Sequence, residues 1–198
     1  GISMRGISKE LPWPGARCGW IEVYNRDSDP MFTSYIETIL NAKMLEVCST
    51  TLPQTVIPTL LSDPRYKEYH AKRNEQYETK SKFAYGALIG IDGIIVNQTD
   101  GAFYMTVAFE DGVLNDKQTL EISNDKIRDY IEDNVCNVAL DKRFVYYLLG
   151  ATGICVVPLT GFSCDTFGFR VTLLETDMVR FEWIFKTIAE NTKAYLNS

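Results

Sequence analysis

Apolar positions recur along this chain with two different periods, and the switch between them lays out its elements. Cys18 to Tyr24 reads as a short buried strand with a polar end, closed by the turn-forming run Asn25 to Pro30. From Met31 to Val47 the apolar residues Phe32, Tyr35, Ile36, Ile39, Leu40 and Leu45 keep close to a helical period, which predicts an amphipathic helix. Ser49 to Gln54 interrupts it, and Pro53 stands near the start of a shorter helix reaching toward Leu61. Pro64 to about Leu88 is long and charged, and its apolar side is sparse in the middle: Tyr66, Tyr69, Tyr77, then Phe83, Ala84, Ala87 and Leu88. That pattern suits a strut joining two lobes better than a member of one core.

Gly90 and Gly93 end the strut, so the lobe boundary is expected near Gly90, between residues 1–90 and 91–198. Strands are expected at Ile94 to Val96, Gly101 to Phe109, Gly153 to Val157 and Phe167 to Leu174. Helices are expected at Asp125 to Val135, Asp141 to Leu149 and Asp177 to Ala194. The last carries Val179 or Phe181, Ile184, Phe185 and Ile188 on one face, the mark of a helix packed on a sheet. The class is therefore α/β, and α+β for the second lobe, where helices cover a small sheet. With about a hundred residues, that lobe is large enough to hold one core unaided.

Composition narrows the function classes. Twenty basic residues against 26 acidic give a net charge of −6, which argues against nucleic-acid and anionic-membrane partners. The most apolar stretch, Val145 to Val157, is broken by Gly150 and Gly153 and followed by Pro158, so no membrane span is expected. Cys18, Cys48, Cys136, Cys155 and Cys164 lack paired or metal-type spacing and read as free buried thiols in a reducing, cytoplasmic setting. His70 is the one histidine, and no metal site is expected. The leading Gly1-Ile2-Ser3 reads as a cloning remnant ahead of Met4.

Three segments carry candidate chemistry. Ser8-Lys9 is followed by Pro14-Gly15-Ala16-Arg17-Cys18-Gly19-Trp20. Asp100-Gly101-Ala102-Phe103-Tyr104 opens a strand in the middle of the chain. Near the end, Gly153 to Pro158 leads to Gly161-Phe162 and then to Phe167-Gly168-Phe169-Arg170-Val171-Thr172-Leu173. Taken singly, Lys9 is a solvated side chain, Arg17 a surface ion-pairing residue and Arg170 an outward-facing strand residue. Taken in order, from about Gly6 to the C-terminus, the segments resemble the C-terminal half of a class I/II aminotransferase, a pyridoxal-phosphate enzyme of fold type I.

The resemblance implies roles. Lys9 would be the amine that holds pyridoxal phosphate covalently and then shuttles a proton at the substrate α-carbon. Arg17 would present its planar fork to the cofactor phosphate, a geometry lysine cannot copy, and Ser8 would add a hydroxyl. Arg170 would grip the substrate α-carboxylate, fixing the orientation that transamination needs. Gly6 stands where better-known members carry a further serine or threonine, so one phosphate donor is absent or replaced by a backbone amide. Gly15 and Gly19 suit a tight turn and a close backbone approach, and Pro12 and Pro14 are expected to hold that stretch extended.

The family's ring-stacking and ring-nitrogen partners precede the lysine. The chain is therefore expected to lack most of the large-domain parallel sheet, to expose the apolar faces of the helices before Gly90 that would cover it, to self-associate for that reason, and to be inactive alone. Thr50 and Thr51 fall where the family places a dimer interface, which implies a homodimer. The substrates implied are an amino acid and a 2-oxo acid. A carbon-sulfur lyase on the same fold, or a non-catalytic dimerising or regulatory module, are the alternatives.

Overall fold

The computed structural model describes residues 1–198, and packing divides them into two compact units, Gly1–Ala71 and Lys72–Ser198. The first begins with strand β1 (Ile2–Gly6), the single helical turn α1 (Ile7–Glu10) and strand β2 (Gly19–Val23). β1 and β2 pair antiparallel from Ile2 opposite Val23 to Gly6 opposite Gly19. The Gly1 amino group extends the ladder by donating to the Tyr24 carbonyl at 2.9 Å. Ile2 and Ser3 are thus part of a strand.

Helix α2 (Pro30–Lys43) starts where Asp29 accepts from the backbone N–H of Met31 at 2.7 Å and Pro30 fills a first-turn position that needs no donor. It stops short of the expected Val47. Of its apolar row only Ile36 is buried, while Met31, Tyr35 and Leu40 remain exposed. Helix α3 (Thr51–Ser62) buries Pro53 and Ile57, and Thr50 occupies its N-cap without a side-chain capping bond. Helix α4 (Tyr66–Leu88) runs on from the first unit into the second. The units therefore divide inside α4, at Ala71 and Lys72, ahead of the glycine turn at Gly90. Packing explains the difference, because the last turns of α4 already belong to the second core through Ala84 and Leu88.

The second unit contains strands β3 (Ile94–Val96) and β4 (Tyr104–Phe109), helices α5 (Asp125–Asn134) and α6 (Leu140–Thr152), strands β5 (Val157–Pro158) and β6 (Gly168–Thr172), and helix α7 (Met178–Leu196). The four strands form one antiparallel sheet in the order β3-β4-β6-β5. On β4, Met105, Val107 and Phe109 face the core, and on β6 Phe169 and Val171 do. Against them α6 brings Phe144, which meets the rings of Phe109 at 5.2 Å, Phe169 at 5.4 Å and Tyr195 of α7 at 5.2 Å. Of the expected Gly153 to Val157 strand only Val157 joins the sheet, paired onward through Pro158, because Gly153 takes a left-handed cap after α6. Gly168 has to lack a side chain, since a Cβ there would lie 2.3 Å from the Val107 carbonyl oxygen. No helix is long and apolar enough to cross a membrane. The five cysteines are free, yet none is buried, so the expectation of buried thiols is corrected: apolar neighbours in sequence did not carry them inward.

Candidate active site

Ser8, Lys9 and Arg17 all lie on one loop, the connection between β1 and β2. The ladder that closes its base continues one step past the strands, where the Ile7 N–H donates to the Cys18 carbonyl at 3.2 Å. Gly19 is required at that base, because a Cβ there would sit 2.8 Å from the Arg5 carbonyl oxygen. Inside the loop, the Leu11 and Trp13 N–H groups both turn back to the Ile7 carbonyl, at 3.2 and 3.4 Å. Pro14–Ala16 form a 3-10 turn rather than the expected extended stretch. A small core fastens the loop from beneath: Ile7, Ala16 and Ile57 are buried together, with Leu11, Trp13, Cys18, Trp20 and Leu61 packed around them. The apolar residues point inward, leaving Ser8 half-buried and the Lys9 and Arg17 side chains exposed.

Arg17 has a left-handed backbone, φ 48° and ψ 42°. For a residue with a Cβ this conformation costs about 1–2 kcal/mol. It persists because the Arg17 N–H closes the 3-10 turn on the Pro14 carbonyl at 3.3 Å while the next residue is held in the hairpin base. The guanidinium Nη1 donates to the same carbonyl at 3.2 Å. The tight position that the sequence suggested for Gly15 is thus taken by Arg17 itself, and Gly15 has open space around it.

Arg170 belongs to the second unit. It sits on β6 with Thr106 of β4 and Val157 of β5 as its ladder partners. Phe169 and Val171 turn into the core, so Arg170 emerges on the opposite face of the sheet, half-buried. Its guanidinium carbon lies 4.4 Å from the ring centroid of Tyr104 and 4.1 Å from that of Phe162. Such contacts hold a guanidinium without neutralising it, each contributing about 0.5–2 kcal/mol depending on desolvation. Arg170 thus stands on the sheet face away from the core, against two aromatic rings.

Neither aromatic was singled out from sequence for this contact. Tyr104 is legible in retrospect, because it shares the solvent-side phase of β4 with Thr106. Phe162 is carried on the 3-10 turn Leu159–Phe162, and its approach to Arg170 is a tertiary fact without a local signal.

The family description "Aminotransferase class I and II" matches residues 1–180. An uncharacterized aminotransferase of Methanocaldococcus jannaschii is 54% identical over 198 residues, covering 100% of this chain and 46% of that protein. A tyrosine aminotransferase of Dictyostelium discoideum is 27% identical over 173 residues, 86% of this chain and 36% of its own length. The chain thus spans less than half the length of the curated relatives it matches. Among solved structures, an alanine aminotransferase from Pyrococcus furiosus superposes with a TM-score of 0.67 at 22% identity, over 99% of this chain and 42% of that one. An aromatic aminotransferase from Pyrococcus horikoshii gives 0.68 at 19% identity, over 97% and 43%. At these identities the likeness concerns the fold, which is part of a fold type I aminotransferase.

Proposed function

The chain belongs to aminotransferase class I and II, and on that premise we propose that it is part of a pyridoxal-phosphate-dependent enzyme that moves an amino group between an amino acid and a 2-oxo acid. The observation that carries the reading is the single loop bearing Ser8, Lys9 and Arg17, fastened at its base by the hairpin ladder and beneath by Ile7, Ala16 and Ile57. That donor set fits the cofactor: one amine for the aldehyde, and a guanidinium and a hydroxyl for the phosphate. When bound, pyridoxal phosphate supplies an aldehyde that takes up amines and a ring that draws electrons from the attached α-carbon.

The chain's own residues do the rest. Lys9 Nζ would hold the cofactor and, once the incoming substrate amine has released it, would take and return the proton at the substrate α-carbon. Arg17, whose guanidinium donates to the Pro14 carbonyl of its own loop, would neutralise the phosphate with its remaining donors. Ser8 adds a hydroxyl donor beside Lys9. Arg170 orients the substrate by a paired contact with its α-carboxylate. On this reading the chain works as a homodimer together with the remainder of such an enzyme and is inactive alone.

The test adds pyridoxal phosphate to the protein, reduces the mixture with borohydride and maps the labelled peptide by mass. Labelling at Lys9, with a visible absorbance band lost in Lys9→Ala, is the expected result. Labelling spread over other lysines, or an unchanged band in Lys9→Ala, overturns the assignment. Arg17→Ala should weaken cofactor binding by roughly 1.5–3 kcal/mol, the range for a hydrogen bond to a charged group.

A further inference from the structure

Asp141 is a charged residue with no exposed surface, and nothing in the chemistry above uses it. It stands in the first turn of α6. Oδ1 accepts from the Lys142 N–H at 2.7 Å and from the Thr160 hydroxyl at 2.7 Å. Oδ2 accepts from the Thr160 N–H at 2.9 Å and makes a long contact with the Gly168 N–H at 3.5 Å. A buried carboxylate loses its hydration, and here neutral donors replace the water. An apolar residue could fill such a position at less cost in solvation, so the groups Asp141 gathers are the reason to look for a role.

Those groups lie on two separate segments of the chain. Thr160 belongs to the 3-10 turn that carries Phe162, and Gly168 begins the strand that carries Arg170. Two residues beyond each contact point, the Phe162 ring and the Arg170 guanidinium meet at 4.1 Å. We propose that Asp141 is a positioning residue for Arg170: its buried carboxylate ties the Thr160 turn to the start of β6, and so sets where the Phe162 ring holds the guanidinium. The inference rests on the reading of Arg170 as the substrate-carboxylate group, because a bidentate contact fails when the fork is rotated out of plane.

The experiment uses the full chain and follows the Nε–H proton of Arg170 by NMR, assigned by its loss in Arg170→Lys. Close aromatic rings displace this resonance from that of an exposed arginine. The expected wild-type signal is displaced. In Asp141→Asn, whose amide turns donors toward donors, the displacement should fall by at least half while the core amide spectrum is kept, and pyruvate should bind about tenfold more weakly. A folded Asp141→Asn with an unchanged Arg170 resonance overturns the proposal, as does a wild-type resonance without displacement.

Should Asp141→Asn fail to fold, Thr160→Val decides. It removes one donor and keeps the backbone N–H, so a partial loss of displacement supports the proposal and none overturns it. Pyruvate bound equally by wild type and Arg170→Ala would remove the substrate role of Arg170, leaving the resonance alone to judge Asp141. If Arg170→Ala abolishes pyruvate binding and Asp141→Asn leaves it unchanged, Asp141 has no positioning role.

Discussion

Replacing Gly168 with alanine should be among the most damaging single-methyl changes available in the second unit. The new Cβ would stand 2.3 Å from the Val107 carbonyl oxygen, 2.7 Å from Leu159 Cδ1 and 3.0 Å from the Ala108 Cα. Two of those three atoms are backbone of the paired strand β4, so no side-chain rotation relieves the overlap. β6 has to move away from β4, weakening the ladder between Tyr104 and Ala108 on one side and Gly168 and Thr172 on the other. Overpacking costs about 1–3 kcal/mol, and one or two weakened ladder bonds add about 1 kcal/mol each, giving a loss of roughly 3 kcal/mol or more. For a unit of this size that lowers the melting temperature by on the order of 10 °C.

The matched control is Gly161→Ala, where the nearest atom to the added Cβ is Pro158 Cγ at 3.9 Å. It should stay within about 0.5 kcal/mol of wild type. Urea unfolding followed by circular dichroism compares the two. Equal midpoints for Gly168→Ala and Gly161→Ala would refute the argument from backbone overlap, and with it the β4–β6 spacing on which the setting of Arg170 depends.

Phe144, fully buried against Phe109, Phe169 and Tyr195, should cost about 3–5 kcal/mol when cut to alanine, measured by the same unfolding assay. Burial pushes the Tyr195 phenol up to about 12, with the Arg143 charge pulling partly the other way. Its neutral form is therefore favoured by folding, and the stability it contributes is full below pH 10 and lost as pH rises toward 12. Tyr195→Phe should flatten that alkaline decline. Because the buried hydroxyl finds no hydrogen-bond partner, the same substitution should cost less than about 1 kcal/mol at neutral pH. The Asp63 carboxyl is held down to about 2, first by the Arg65 side chain and then by the Arg65 backbone N–H. NMR titration of Arg65→Ala should find it moved toward the usual carboxylate range, and an unmoved value would remove the guanidinium as the main cause.

Elements whose apolar residues repeat on one buried face could be read from the chain alone: α6, α7 and β6 lie within a few residues of where the sequence pattern put them. β1 could not, because its side chains alternate without a buried face; Met4 is 84% exposed, and what makes it a strand is its pairing with β2. The Gly153 to Val157 run misled for the opposite reason. Val156 is buried there without joining a ladder, so burial imitated a strand. That Lys9 and Arg17 share one loop was legible because their spacing along the chain is a local property. The Tyr104 and Phe162 rings were not, and Asp141 read only as an acidic residue at a helix start. Their roles arise where residues distant in sequence meet, which no local pattern records.

The hairpin that carries Lys9 is a ribbon of only two strands. Such a ribbon has no interior: each strand offers one whole side of its backbone N–H and C=O groups to whatever extended segment arrives. A third strand laid beside Ile2–Gly6 or Gly19–Val23 would stiffen the platform beneath the lysine without touching the loop. A mispaired copy of the same ribbon would meet the same invitation, so a stiffening strand and an aggregating one would compete for the same two edges.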